Sequence, residues 1–137
     1  MWRRCIDPQV PIDNWFEWVD EGGPKKQPYL IRHRDQTPIF CAVIGQYPNA
    51  EHELGEHDGF VIITADSAGG MVDIHDRRPV ALNPELAREW LDPATPKEQA
   101  EQMVLLQGES AEYFEWFKVD PALGNVRNQG RQLIEPR

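Results

Sequence analysis

The chain predicts an α+β fold, with strands gathered in its first half and helices in its second. Two observations carry this. Three runs between Gln27 and Ala65 are rich in β-branched and aromatic residues and are parted by polar turns. Past them, two helix-start signals follow in close succession: Asn83-Pro84-Glu85 and Thr95-Pro96-Lys97-Glu98.

In order, Trp15-Phe16-Glu17-Trp18 is the densest aromatic cluster. It reads in two ways. Phe16 and Trp18 could point inward from a strand, leaving Glu17 on the polar face. Alternatively the three rings partly desolvate Glu17, raise its pKa and make it a proton carrier. Gly22-Gly23-Pro24 is a turn. Residues 27–34 and 37–47 are strands, joined by Arg34-Asp35-Gln36 as a hairpin. The second of them is apolar on both faces, so it belongs in the middle of a sheet.

Residues 48–59 form a polar loop holding Glu51-His52-Glu53 and Glu56-His57-Asp58. Such residues could hold a metal. No apolar neighbours back them, so an exposed acidic tip is expected and no metal site. Residues 59–65 make a further strand. A small-residue segment then leads to Ile74-His75-Asp76-Arg77-Arg78-Pro79-Val80, a turn that packs an imidazole, a carboxylate and two guanidiniums into four positions.

The first helix should run from Asn83-Pro84 through Trp90-Leu91 and stop before Pro93. A capping box at Thr95 to Glu98 should open a second helix, reaching Gly108. Residues 110–117 suggest a third, short helix with Tyr113, Phe114 and Phe117 on one face. The irregular tail, residues 118–136, should pack back on the sheet through Leu133-Ile134.

The 137 residues suit one domain with a real core. No apolar run approaches the ~18 residues of a membrane span, and the start lacks a secretory signal. No membrane partner and a cytoplasmic location are expected. Cys5 and Cys41 have neither disulfide nor zinc spacing and read as buried thiols. The net charge of −9 opposes non-specific nucleic-acid binding. Base is nevertheless clustered at Arg3-Arg4, Lys25-Lys26, Arg32 to Arg34, Arg77-Arg78 and Arg127 to Arg131. Screening over about 10 Å lets such patches act separately.

Taken in order, Arg4-Cys5-Ile6, Trp15-Phe16-Glu17-Trp18, Gln27-Pro28-Tyr29, Ile74-His75-Asp76-Arg77, Pro79-Val80 and Val126-Arg127-Asn128 resemble one known family. It is the SOS-response-associated peptidase (SRAP) family, the abasic-site processing proteins. The resemblance covers nearly the whole chain. It implies a mixed, largely antiparallel twisted sheet with flanking helices, as in the C-terminal part of that fold. It also implies gripping single-stranded DNA at an abasic site and bonding covalently to it. In the family the attacking group is an N-terminal cysteine, bared by removal of the initiator Met. Its amine and thiol close a thiazolidine with the sugar aldehyde. Carried over, Glu17 and His75 match the residues that move protons, and Arg77 the arginine that holds phosphate. Arg78 stands where the family has Met; with Arg127 it is a further candidate DNA contact. No cofactor is implied.

The chain departs from the family pattern. It lacks the Met-Cys-Gly-Arg start and the Trp-Gly-Leu and Asn-Ala-Arg-Ala-Glu segments. Position 2 is Trp2, and Cys5 matches a cysteine that is not the nucleophile. The expectation is an N-terminally truncated or phage-type member: one partial domain over residues 1–137, impaired alone. A second chain or self-association would cover its open sheet edges. One alternative is a non-catalytic, prophage-type remnant that binds DNA or a protein. The other is a small hydrolase or metal protein using His75, Asp76 and Glu17.

Overall fold

A computed structural model describes residues 3–4, 10–46, 55–56 and 58–137. The expectations for Cys5 and for Glu51-His52-Glu53 and His57 lie outside these residues. Strands come first: β1 (Arg3–Arg4), β2 (Pro11–Ile12), β3 (Trp15–Val19), β4 (Gln27–His33), β5 (Ile39–Cys41), β6 (Val43–Gln46), β7 (Gly59–Ile62) and β8 (Thr64–Asp66). After a 3-10 turn at Gly69–Asp73 come β9 (Arg77–Pro79), β10 (Ala81–Leu82), α1 (Pro84–Leu91), α2 (Lys97–Leu106) and β11 (Phe114–Lys118). The fold is α+β, and the paired strands of its three-stranded sheets are antiparallel.

Contacts divide the chain into two compact units. The first takes Met1–Ile12, Ile39–Ala65 and Arg78–Glu109; the second takes Asp13–Pro38, Asp66–Arg77 and Ser110–Arg137.

In the first unit the long run 37–47 is broken at Ala42. There the Ala42 N–H donates to Val80 O (2.8 Å), Val80 N–H to Ile63 O (2.9 Å) and Ile63 N–H to Ala42 O (2.9 Å). This three-way exchange parts β5 from β6 and β7 from β8. As the apolar pattern requires, β5 is central in the order β10-β5-β2 and β6 in the order β1-β6-β7. The core is built from Ala42, Val80, Leu82, Ala87, Trp90, Ala100 and Met103. Buried Trp90 still satisfies its indole N–H on Val43 O at 3.1 Å.

Helix α1 begins and ends where its signals stand. Asn83 Oδ1 accepts from the Leu86 N–H (2.9 Å), Pro84 takes the first helical position, and the helix stops at Asp92. The capping box ahead of α2 does not form. The Thr95 hydroxyl donates to Glu89 O at 2.6 Å, and Pro96 takes the cap position without a side-chain bond. α2 ends at Leu106, two residues short of the Gly108 expected as its limit.

In the second unit β4 is the middle strand of β11-β4-β3, and Leu30 and Ile31 are buried on its opposite faces. The expected helix over 110–117 is largely a strand, with only Ala111–Tyr113 coiled into a 3-10 turn. Phe114 and Trp116 alternate with Glu115 and Phe117, a period-2 pattern that β4 completes by pairing Trp116 with Ile31. The hairpin expected at 34–36 is also absent, since β4 and β5 belong to different sheets. Gln36, at φ 59°, turns the chain there instead. One face of the sheet is centred on Phe114, which meets Trp15 edge-on at 5.5 Å and His33 at 5.0 Å. The tail packs back through Leu133, which is buried, and the Arg137 N–H donates to Lys118 O at 2.9 Å, but Ile134, expected to pack with Leu133, is 38% exposed.

Candidate functional site

Glu17 sits in β3, directly across from Tyr29 of β4, which in turn faces Lys118 of β11. Strand alternation puts Glu17 on the same face as Trp15 and leaves Phe16 and Trp18 on the other. Trp18 is 43% exposed, so the reading in which Phe16 and Trp18 both point inward does not hold. Burial raises the Glu17 carboxyl above the usual carboxylate value, opposed by the charge of His75 and a hydrogen bond from Trp15.

His75 is delivered by the turn that follows the 3-10 segment. The N–H groups of Ile74 and His75 both donate to Met71 O, at 3.0 and 3.2 Å, and Met71 is buried. The Ser67 N–H donates to Asp76 O at 2.8 Å and closes the loop at its base. Trp116 lies against Gly70: a Cβ there would stand 3.1 Å from the ring, which would have to give by a few tenths of an ångström.

The result is a short chain of ionisable groups, all within the second unit. His75 Nε2 lies 3.9 Å from Glu17 Oε2. That is beyond a hydrogen bond, and a side-chain shift of about 1 Å would make one. On the other side of the ring, His75 Nδ1 lies 3.2 Å from Asp76 Oδ1. The same nitrogen lies 3.0 Å from both the N–H and the carbonyl of Arg77. A neutral Nδ1 accepts from the Arg77 N–H, which leaves the proton on Nε2, facing Glu17. A protonated Nδ1 instead donates to the Arg77 carbonyl or to Asp76. The ring therefore has a partner in either state, as a proton carrier requires.

Arg77 Nη1 donates to Asp66 Oδ1 at 2.7 Å, and both side chains are exposed to solvent. Arg78 falls in the first unit, and its Nη1 is buried without a hydrogen-bond partner among the described residues. Arg127 is exposed on the loop after the 3-10 turn Pro121–Gly124, its N–H donating to Asn125 Oδ1 at 3.0 Å. The geometry thus joins Glu17, His75, Asp76 and Arg77, and gives no such link for Arg78 or Arg127. Sequence reasoning missed Asp66 and Trp116, because an acid in a strand and a Trp in a supposed helix carry no functional signal. Among the described residues, no group of three or more His, Cys, Asp or Glu could hold a metal ion. Among them, too, no helix is long and apolar enough to cross a membrane.

Residues 1–126 match the family model described as SOS response associated peptidase (SRAP). The abasic site processing protein YedK of Escherichia coli is 46% identical over 124 residues, 90% of this chain and 54% of that protein. YMR114C of Saccharomyces cerevisiae, also named an abasic site processing protein, is 32% identical over 99% of this chain and 38% of its own length. Among solved structures, a phage-related protein of Bordetella bronchiseptica is similar at TM-score 0.67 and 46% identity. That likeness covers 81% of this chain and 52% of that one. A protein from Bacteroides thetaiotaomicron gives TM-score 0.73 at 26% identity, over 98% and 57%. The chain spans about half the length of YedK and of both solved structures, and less of YMR114C.

Proposed function

The chain belongs to the SOS response associated peptidase family, and from that premise we propose that its second unit handles protons and phosphate in abasic-site processing on single-stranded DNA. The observation that supports this most is the approach of His75 to Glu17 at 3.9 Å, with the Glu17 carboxyl raised by burial.

An opened abasic sugar presents an aldehyde. An amine attacking it forms a C–N bond, and the carbonyl oxygen must leave as water. That oxygen has to be protonated and the amine has to lose protons. Glu17, with its raised pKa, is the acid for the oxygen. His75 accepts from the amine and returns its proton through the same pair. Arg77 holds a flanking phosphate, exchanging Asp66 for it. The attacking group implied by the family resemblance is an amine and a thiol on neighbouring carbons. Burial pushes the Cys41 thiol up to about 11, so Cys41 is not that thiol. The second unit is expected to bind abasic single strands.

The test supplies the aminothiol from solution. Cysteamine, an aminothiol, is added to a labelled single strand carrying one abasic site, and thiazolidine formation is followed with and without protein. The protein should accelerate the reaction, and Glu17→Gln or His75→Ala should each lower that acceleration by about a hundredfold. Anisotropy on the same strand should show Arg77→Ala binding more weakly for every flanking sequence. Its salt dependence should be shallower by about 0.7 in the log–log slope. Binding without acceleration would leave a DNA-binding module and remove the proton-carrier roles. Equal binding by the abasic and the intact strand would sink the reading itself.

A further inference from the structure

Beside the Glu17–His75 pair, the sheet of the second unit carries a further set of ionisable groups that the proposed activity does not use. The register places them. β3, β4 and β11 bring Trp15, Ile31 and Trp116 into one row across the sheet, and Glu17, Tyr29 and Lys118 into the next. Residues directly opposite share a face, and so do residues two apart on one strand. The His75 turn lies on that face, since Trp116 lies against Gly70 and Glu17 comes within 3.9 Å of His75. The row therefore starts at the proton-carrying pair and ends, two strands away, at the Lys118 ammonium. At the ordinary strand spacing the backbones of Glu17 and Lys118 stand about 10 Å apart.

Lys118 is held much as Arg77 is held. Its Nζ lies 3.1 Å from Glu21 Oε1, and Tyr29 Oη donates to the other oxygen of that carboxylate at 3.3 Å. Lys118 and Glu21 are both exposed to solvent. A hydrogen bond to Glu21 and the charge of that carboxylate raise the Lys118 pKa, so the ammonium stays charged. At the other end Arg77 Nη1 holds Asp66 at 2.7 Å, also in solvent. Exposed pairs of this kind are worth little, so a phosphate can replace either carboxylate at small cost. Between the two cations stand Glu17, its pKa raised by burial, and the half-buried Tyr29 ring.

We propose that Lys118 is a second phosphate contact for the single strand, on the side of the abasic sugar opposite Arg77, with Glu21 the carboxylate that the phosphate displaces. This rests on the abasic-site reading and fixes how the strand lies: across β3, β4 and β11 rather than along them. A span of about 10 Å is the reach of about three stacked nucleotides, and of fewer in an extended strand, so the two held phosphates flank the sugar closely. The competing occupant is an acidic side chain of a longer polypeptide, which would leave strand binding indifferent to Lys118.

Anisotropy on a labelled single strand with one abasic site, at about 50 mM salt, tests this. Lys118→Ala should weaken binding about fivefold and make the log–log salt slope shallower by about 0.7. Glu21→Gln should do the opposite and tighten binding about two- to threefold, a gain that a merely structural ion pair would not give. Glu112→Gln, an exposed acid just before β11, should change binding far less. Strands carrying a single uncharged methylphosphonate then locate the contact. The parent chain should lose affinity when either side of the abasic site is neutralised. Lys118→Ala should become indifferent to neutralisation on one side, and Arg77→Ala on the other. Abasic strands bound through Arg77 but unaffected by Lys118→Ala would sink the Lys118 contact and leave the abasic-site reading standing. So would Glu21→Gln binding more weakly than the parent, or both cation variants responding to the same phosphate. Equal binding of abasic and intact strands would remove both.

Discussion

Glu17 is a carboxylate pulled in two directions. Burial raises its pKa from 4.5, while His75 and Trp15 oppose the shift. Between 4.5 and the raised native value the folded chain binds more protons than the unfolded one. Stability therefore falls as pH rises through that window, and is constant above it with respect to this group. Glu17→Gln removes the penalty. It should be more stable than the parent at about pH 7.5, by less than about 1 kcal/mol because the carboxyl is only partly buried. The gap should close by about pH 4, where both groups are neutral, as urea denaturation at the two pH values would show. Phe114 makes a sharper case. It is 1% exposed and packs on Trp15 and His33, so Phe114→Ala should cost about 3–5 kcal/mol in the same assay.

At the scale of elements, the local signal decides the outcome where it is chemically specific. The Asn83 side chain bonds the Leu86 N–H, and Pro84 needs no donor at the first helical position. Asn83→Ala should cost about 1 kcal/mol by thermal denaturation, and Asn83→Asp much less, since a carboxylate can accept the same bond. Elsewhere the partner decides. Residues 114–118 carry aromatics that fit either a helix face or an alternating strand. Pairing with β4 selects the strand, because it places Phe114 and Trp116 beside His33 and Ile31. The run 37–47 looks continuous, yet at Ala42 three strands exchange hydrogen bonds and the ladder is handed over. No composition signal marks such a junction.

For the molecule as a whole, the net charge of −9 and a DNA-directed reading pull against each other. Local charge resolves this in physical terms. Arg77 is an exposed cation tied to Asp66, a contact that a phosphate can replace. Binding that depends on so few cations should be weak at physiological salt and strengthen as salt is lowered. An affinity unchanged between about 50 and 200 mM salt, measured by anisotropy, would remove the phosphate role of Arg77. The division into two units places both members of the proton-carrying pair, Glu17 and His75, in the second.

The sequence by itself determined the class of fold, the start and stop of α1, the central place of the strands within 37–47, and the family. Each rests on a property carried by neighbouring residues: cap chemistry, apolar patterning, or an ordered set of motifs. The sequence also predicts that Glu17 is brought to the His75 turn from far along the chain, but only the tertiary structure decided the separation, 3.9 Å. It alone placed Trp116 against Gly70 in the 3-10 turn that precedes His75, and Asp66 beside Arg77. The last of these joins the neighbouring strands β8 and β9. The first two are contacts between segments distant in sequence, in a unit where β3, β4 and β11 pair in one register that no local preference of a residue contains.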